Sequence, residues 1–305
     1  MKMNAPIALF VYNRLTNTKE TVNALSKNML AKESDLTIFS DGPKADKDIE
    51  KVNEVRNYLK TITGFKSITI IESAVNKGLA ASIISGVTEI VNKYTRIIVL
   101  EDDLVTSPYF LTYMNDALEM YENEEKVASI HGFIYPVKKE LPETFFIKGA
   151  DCWGWATWKR AWDLFESDGL KLLNELKNRK LTKEFNFNNS YSYTDMLERQ
   201  IKGKNNSWAI RWYASAFLND CYTLYPGKSL VANIGMNEGT HCVNGENFLD
   251  IYQEQIQLTK ISPIQPDKKH IKIIESYFRQ DDKPLYIRLL NRLKNILRPL
   301  YHFFK

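Results

Sequence analysis

Cysteine and histidine are scarce in this chain, with three cysteines (Cys152, Cys221 and Cys242) and four histidines in 305 residues. No CxxC pair occurs, so neither a thiolate zinc site nor a dithiol redox centre is encoded, and the small odd count argues against a disulfide scaffold. Long apolar runs are missing as well. Nothing approaches the roughly 20 consecutive apolar residues of a membrane span. The opening MKMNAPIALFVYNR carries an apolar run too short for a secretory signal, being interrupted by Tyr12, Asn13 and Arg14. The expected location is cytoplasmic. A surplus of one charge is also lacking, since 41 Lys and Arg face 37 Asp and Glu for a net +4. That balance gives no reason to expect nucleic acid as a partner. Hydrophobic residues at 44% and charged residues at 26% are ordinary for a globular protein with a substantial core.

What is present is an alternation of periods. Short β-rich runs at 7–12, 36–39, 67–71, 96–100 and 127–130 are separated by segments of helical spacing at 16–30, 46–62, 79–94 and 109–121. Strand–helix alternation of this kind predicts a mostly parallel sheet with helices on both faces. Ligands of such sheets bind beyond the carboxyl ends of the strands. Those ends read Asn13-Arg14, Ser40-Asp41-Gly42, Asn76-Lys77-Gly78 and Glu101-Asp102-Asp103, all polar and capable of binding a ligand.

The fourth end poses the sharpest question, because four apolar residues (Ile97 to Leu100) run directly into three acids. Bunched carboxylates raise one another's pKa unless a cation sits among them. The simplest such cation is a hard divalent metal, Mg²⁺ or Mn²⁺, shared with the phosphates of a nucleotide. An acidic surface turn, or charges at the start of the next helix, is the ordinary explanation of an isolated EDD. Its place after a buried strand, beside polar residues at the other strand ends, favours the ligand. A Walker-B acid is ruled out because no GxxxxGK[ST] loop exists in the chain.

IALFVYNR, FSDGPK, VNKGLAASIISGV and VLEDDLVTSPYFLTYM occur in this order in the first 135 residues. Together they resemble the nucleotide-sugar-binding half of GT-A-type glycosyltransferases, in particular N-acetylglucosaminyltransferase I and related bacterial sugar transferases. The resemblance implies a Rossmann-like α/β fold and a metal, Mn²⁺ or Mg²⁺, on Asp103 under the nucleotide diphosphate. It further implies that Arg14 and Asp41 contact the nucleotide, Asp41 near the uracil. Asn76, Lys77 and Gly78 would approach the phosphate or sugar, with Glu101 and Asp102 completing the site. The corresponding organisation is a nucleotide-sugar half at 1–135, an acceptor half at 136–250, an extension at 251–282 and an amphipathic basic helix at 283–305.

In the second half DCWGWATWKRAW places four tryptophans within ten residues, and SWAIRW adds two more. Gly154-Trp155 followed by Trp162 resembles the GW-x6-W segment of the family's acceptor region. Trp153, Trp155 and Trp208 are thus candidate sugar platforms, since pyranose C–H faces pack on aromatic rings. Core packing is the ordinary role for most of the six. The family's catalytic base, an acid near the tryptophan helix, has no counterpart in NNSWAIRW. Glu198 and Asp195, then Asp151 and Glu238, are the acids that could replace it. His131 and His241 read as structural.

These features predict a metal-dependent glycosyltransferase, of hexosyl or N-acetylhexosaminyl class, that moves a sugar from a nucleotide donor, UDP-linked, to a glycan or lipid-linked acceptor in surface polysaccharide assembly. The alternative is a catalytically silent glycan- or nucleotide-binding protein on the same fold. A nucleotidyltransferase would need a Gly-rich basic N-terminal loop, which IALFVYNRLTNT does not supply.

The last residues add a membrane expectation. Projected at about 100° per residue, Leu285, Leu289, Leu290, Leu293, Ile296 and Leu297 share one face, and Arg288, Arg292, Lys294 and Arg298 the other. Such a segment suits the plane of an anionic bilayer surface. The full chain should co-sediment with anionic liposomes and release in high salt, whereas a chain ending at Asp282 should not. Equal binding by both would exclude this anchor.

Overall fold

The computed structural model describes residues 3–235 and 250–279. The proposed helix at 283–305, together with Glu238 and His241, lies outside the described residues. In chain order the first half contains β1 (Ile7–Val11), α1 (Leu15–Ser26), β2 (Asp35–Ser40), α2 (Ile49–Leu59), β3 (Ser67–Glu72) and α3 (Leu79–Tyr94). It continues through β4 (Arg96–Glu101), β5 (Leu104–Thr106), α4 (Phe110–Met120) and β6 (Val127–His131). The second half comprises β7 (Thr144–Lys148), β8 (Trp155–Trp158), α5 (Lys159–Trp162), α6 (Gly169–Asn178), α7 (Thr182–Phe185) and α8 (Tyr193–Ile201). After these come α9 (Trp208–Leu218), β9 (Tyr222–Pro226), β10 (Val231–Asn233) and α10 (Lys268–Arg279).

Eight strands form one sheet in the order β3-β2-β1-β4-β8-β6-β9-β7, and β10 pairs with β5 in a separate two-stranded ribbon. The first four are mutually parallel. β8 runs against both of its neighbours, so β6 and β9 point the same way as β4, and β7 closes the edge antiparallel. The sheet is therefore mostly parallel. Because β8 inserts between β4 and β6, residues on either side of position 136 share a single sheet.

Continuous apolar runs in β1 and β4 follow from burial on both faces. Leu9, Ile98 and Leu100 pack with residues of α1, α2 and α4 on one side. Ala8, Phe10, Ile97 and Val99 pack with α3, α5 and α9 on the other. α1 stops at Ser26, short of the expected residue 30. Asn28 takes over there, its side-chain amide donating to the Ala24 carbonyl and Thr106 Oγ1 while its carbonyl oxygen accepts from the Leu111 N–H.

Trp155–Trp158 of the tryptophan segment form the central strand β8, and their side chains alternate with a period of two. Trp158 joins the α4 side, while Trp155 joins the opposite side. There Trp155 stacks on Trp208 at 5.4 Å and lies 6.0 Å from Trp212, and Trp162 lies 5.2 Å from Trp212. Trp155 is 0% and Trp208 3% exposed. Neither presents a ring to a ligand, so their expected role as sugar platforms gives way to core packing. Only Trp153 of the three candidates is partly exposed, with its ring edge-on to Phe133 at 4.7 Å.

Trp155→Ala should cost about 3–5 kcal/mol, the usual range for a large aromatic deleted from a core. Urea denaturation midpoints test this, and a loss below about 1 kcal/mol would contradict a core role.

Candidate functional site at the sheet's carboxyl edge

The strand order places β2 on one side of β1 and β4 on the other, so the chain's course reverses direction at β1. Crevices at such reversals are where open α/β sheets bind ligands. The register pairs Phe10 with Glu101 and Phe10 with Phe39, which brings the residues after all three strands to one edge.

Arg14 follows β1 and reaches across to the acids after β4. Its Nη2 donates to Asp102 Oδ1, and its Nη1 lies 3.0 Å from Asp103 Oδ2. Burial alone would lower the guanidinium's pKa, but Asp102 and Asp103 hold it above its ordinary value. Burial, then the charges of Asp103 and Asp102, push Glu101 up to about 8. Burial also raises Asp102 to about 6, with Arg14 pulling the other way. The cation that the triplet needs is thus supplied in part by the protein itself.

Asp41, after β2, is buried and fully engaged. Oδ1 accepts the Gly42 N–H at 2.9 Å and the Lys77 N–H at 2.8 Å. Oδ2 accepts the Gly78 N–H at 2.8 Å and the Asn76 side-chain amide at 3.1 Å. The carboxylate therefore folds residues 76–78 over the start of α3, where the helix dipole also favours it. Gly42 is required for the approach, since a Cβ there would stand 2.5 Å from the Val75 carbonyl carbon. Arg56 ties the back of the same loop, donating to the carbonyls of Ser73 at 2.7 Å and Asp41 at 3.3 Å. Lys77 keeps its side chain exposed. Asp41 is in the first place the organiser of this loop, a role its sequence position did not reveal.

Of the three candidate bases among the described residues, Asp151 precedes β8 and so stands beside the end of β4. Asp151 Oδ2 accepts from the phenols of Tyr135 at 3.0 Å and Tyr225 at 3.1 Å, and Oδ1 accepts the Cys152 N–H at 2.8 Å. Burial, then the charges of Asp151 and Glu101, with Asp103 contributing less, push the adjacent Cys152 thiol well above its ordinary value. The buried His131 supports this segment by accepting the Trp153 N–H on Nε2 at 3.0 Å, and burial lowers its pKa. Glu198 of α8 instead pairs with Lys177 of α6 at 3.5 Å and with Lys202, just after α8, at 3.8 Å, and Asp195 is exposed in the first turn of α8. Sequence spacing could not separate these acids. Tyr135 and Tyr225, which position Asp151, carried no motif that would have marked them.

The residues suit a divalent metal in two respects. Asp102 Oδ2 is buried without a hydrogen-bond partner, and the triplet offers hard carboxylate oxygens. No three His, Cys, Asp or Glu side chains among the described residues converge as a self-sufficient metal centre.

No protein-family model and no curated protein sequence matches the chain. Several solved structures resemble it. The mannosyltransferase PcManGT from Pyrobaculum calidifontis, in complex with GDP-Man and Mn²⁺, is 12% identical over 44% of this chain and 36% of its own, with a TM-score of 0.34. TarS of S. aureus is 16% identical over 48% of this chain and 24% of its own, with a TM-score of 0.31. A UDP-glucose pyrophosphorylase complexed with UDP-glucose is 11% identical over 74% of this chain and 91% of its own, with a TM-score of 0.37. The match spans little more than a third of PcManGT and about a quarter of TarS.

Removing the Asp41 carboxylate tests the loop assignment. Asp41→Ala should cost about 1–3 kcal/mol, as buried N–H donors lose their acceptor, and should accelerate hydrogen exchange at the Lys77 and Gly78 amides. Unchanged protection there would show that the loop holds without Asp41.

Proposed function

We propose that the protein is a glycosyltransferase that uses a nucleotide sugar, UDP-linked, as donor and a divalent cation at the triplet. The observation that carries this reading is that Arg14, the Asp41-ordered loop and Glu101–Asp103 come together at one sheet edge, at the strand reversal. A nucleoside diphosphate needs that set of partners: a guanidinium for phosphate oxygens, a lysine at a helix start, and carboxylates for a cation. The sequence resemblance to the GT-A nucleotide-sugar half assigns the same residues.

In this reading Asp103, with Asp102 beside it, would hold Mn²⁺ or Mg²⁺. When bound, the cation neutralises charge developing on the diphosphate leaving group. Arg14 binds phosphate oxygens as a planar fork. The 76–78 loop, kept in shape by Asp41, positions Lys77 and Gly78 along the phosphate and sugar. Asp151 is the base. It has an acceptor position left on Oδ1, and the phenols of Tyr135 and Tyr225 aim it. It would take the proton from the attacking hydroxyl of the acceptor, a glycan or lipid-linked sugar. Trp153, partly exposed two residues on, is the remaining aromatic candidate for the acceptor's ring face. Glu198, Asp195 and Glu238 rank behind Asp151.

Two substitutions separate the roles. Asp103→Asn should abolish cation-dependent transfer, and EDTA should do the same to the wild type. Asp151→Asn should lower the transfer rate by about 10²–10⁴, the usual contribution of a general base, while donor binding measured by calorimetry stays intact. Transfer at the wild-type rate in Asp151→Asn would remove it from the mechanism, and activity indifferent to EDTA would remove the cation.

A further inference from the structure

The geometry points to Arg14 as a built-in competitor of the cation for Asp102 and Asp103, displaced from them by the diphosphate of the donor. This rests on the donor-and-cation reading above. Arg14 bridges both carboxylates, with Nη2 on Asp102 Oδ1 and Nη1 3.0 Å from Asp103 Oδ2. A cation reaching Asp103 would stand against that guanidinium, and like charges a few ångströms apart repel.

The two sides of the bridge differ in freedom. The acids are fixed by their backbone. Thr21 Oγ1 donates to the Asp102 carbonyl at 2.9 Å, and the Ile234 N–H donates to the Asp103 carbonyl at 2.9 Å. β10 lies against β5, pairing Asn233 with Leu104 next to the triplet. Gly235 then covers the bridge so closely that a Cβ there would stand 2.3 Å from Asp103 Oδ2 and 3.0 Å from Arg14 Nη1. Arg14, by contrast, is a long side chain with 38% of its surface exposed, against 5% for Asp102 and 14% for Asp103. The arginine is the partner that can move.

A cation arriving alone has to break the bridge while the guanidinium gains nothing in return. A diphosphate changes this, because it offers Arg14 a bidentate acceptor and leaves both carboxylates to the cation. Cation and diphosphate therefore assist one another, and the assistance is reciprocal. Arg14 keeps the site closed to free cations and opens it to the cation–donor pair.

The test is a titration of the full chain with Mn²⁺, followed by the electron paramagnetic resonance signal of the free ion, without nucleotide and with UDP. Wild type should bind Mn²⁺ weakly alone and about tenfold or more tightly with UDP. Arg14→Met should bind Mn²⁺ alone about tenfold more tightly than wild type, as expected when one charge-assisted contact no longer competes. It should also gain less from UDP. Asp103→Asn in each background identifies binding at this site. Circular dichroism reports whether Arg14→Met is folded, and Arg14→Gln decides the matter if it is not. Unchanged or weaker Mn²⁺ affinity in the Arg14 variant, alongside Asp103-dependent binding in wild type with UDP, would overturn the competition and leave the cation site standing. No Asp103-dependent binding in any chain, with or without UDP, would overturn both.

Discussion

Three carboxylates can follow a strand buried on both faces only if positive charge reaches them, and here it comes from the neighbouring strand. Parallel pairing of β1 with β4 sets Phe10 beside Glu101, so the next residues of each chain, Arg14 and Asp102–Asp103, meet beyond the sheet. Arg14 compensates Glu101 only in part, and burial and its two acidic neighbours still raise it to about 8. The same sheet edge carries the 76–78 loop, ordered by Asp41 after β2, and β10, after which Gly235 lies against the bridge.

The second half of the chain completes the same sheet and carries the proposed base to the same edge. β8 enters antiparallel to β4, so the residues just before it, Asp151 to Gly154, stand beside the end of β4. Trp155 anchors that placement through its stack with Trp208 and its contact with Trp212. Rigid aromatic packing beneath and paired phenols above hold Asp151 with little freedom, which suits a group that must meet a hydroxyl at hydrogen-bond distance. α10 contributes from further away, Phe278 lying 4.8 Å and Tyr277 5.6 Å from the Tyr135 ring.

Much of the proposed donor side was legible in the sequence because it depends on local pattern. Apolar runs of strand length, separated by helical spacing, specify a doubly covered sheet, and polar residues at the strand ends then fall on one edge by chain direction alone. Arg14, Asp41, Asn76 to Gly78 and Glu101 to Asp103 were identifiable on those grounds. Their partnerships were not. That Arg14 would bridge the acids, or that Asp41 would spend its acceptors on the 76–78 backbone, depends on strand order, which periodicity does not encode.

The aromatic half shows the opposite balance. Tryptophan density signalled either a core or a sugar surface, and composition cannot decide between them, because the same ring serves both. Only the tertiary structure turned WATW into a central strand, buried Trp155 and Trp208, and left Trp153 partly exposed just before it. It also placed Asp151, rather than Asp195 or Glu198, beside the end of β4, since a strand inserted from a distant part of the chain sets which residues stand there. The sequence by itself determined the layered α/β class and the polar strand ends, both products of short-range patterning. Which charges neutralise one another, which rings are core and which acid stands beside the end of β4 were decided by long-range strand pairing, the one feature that local physical chemistry leaves open.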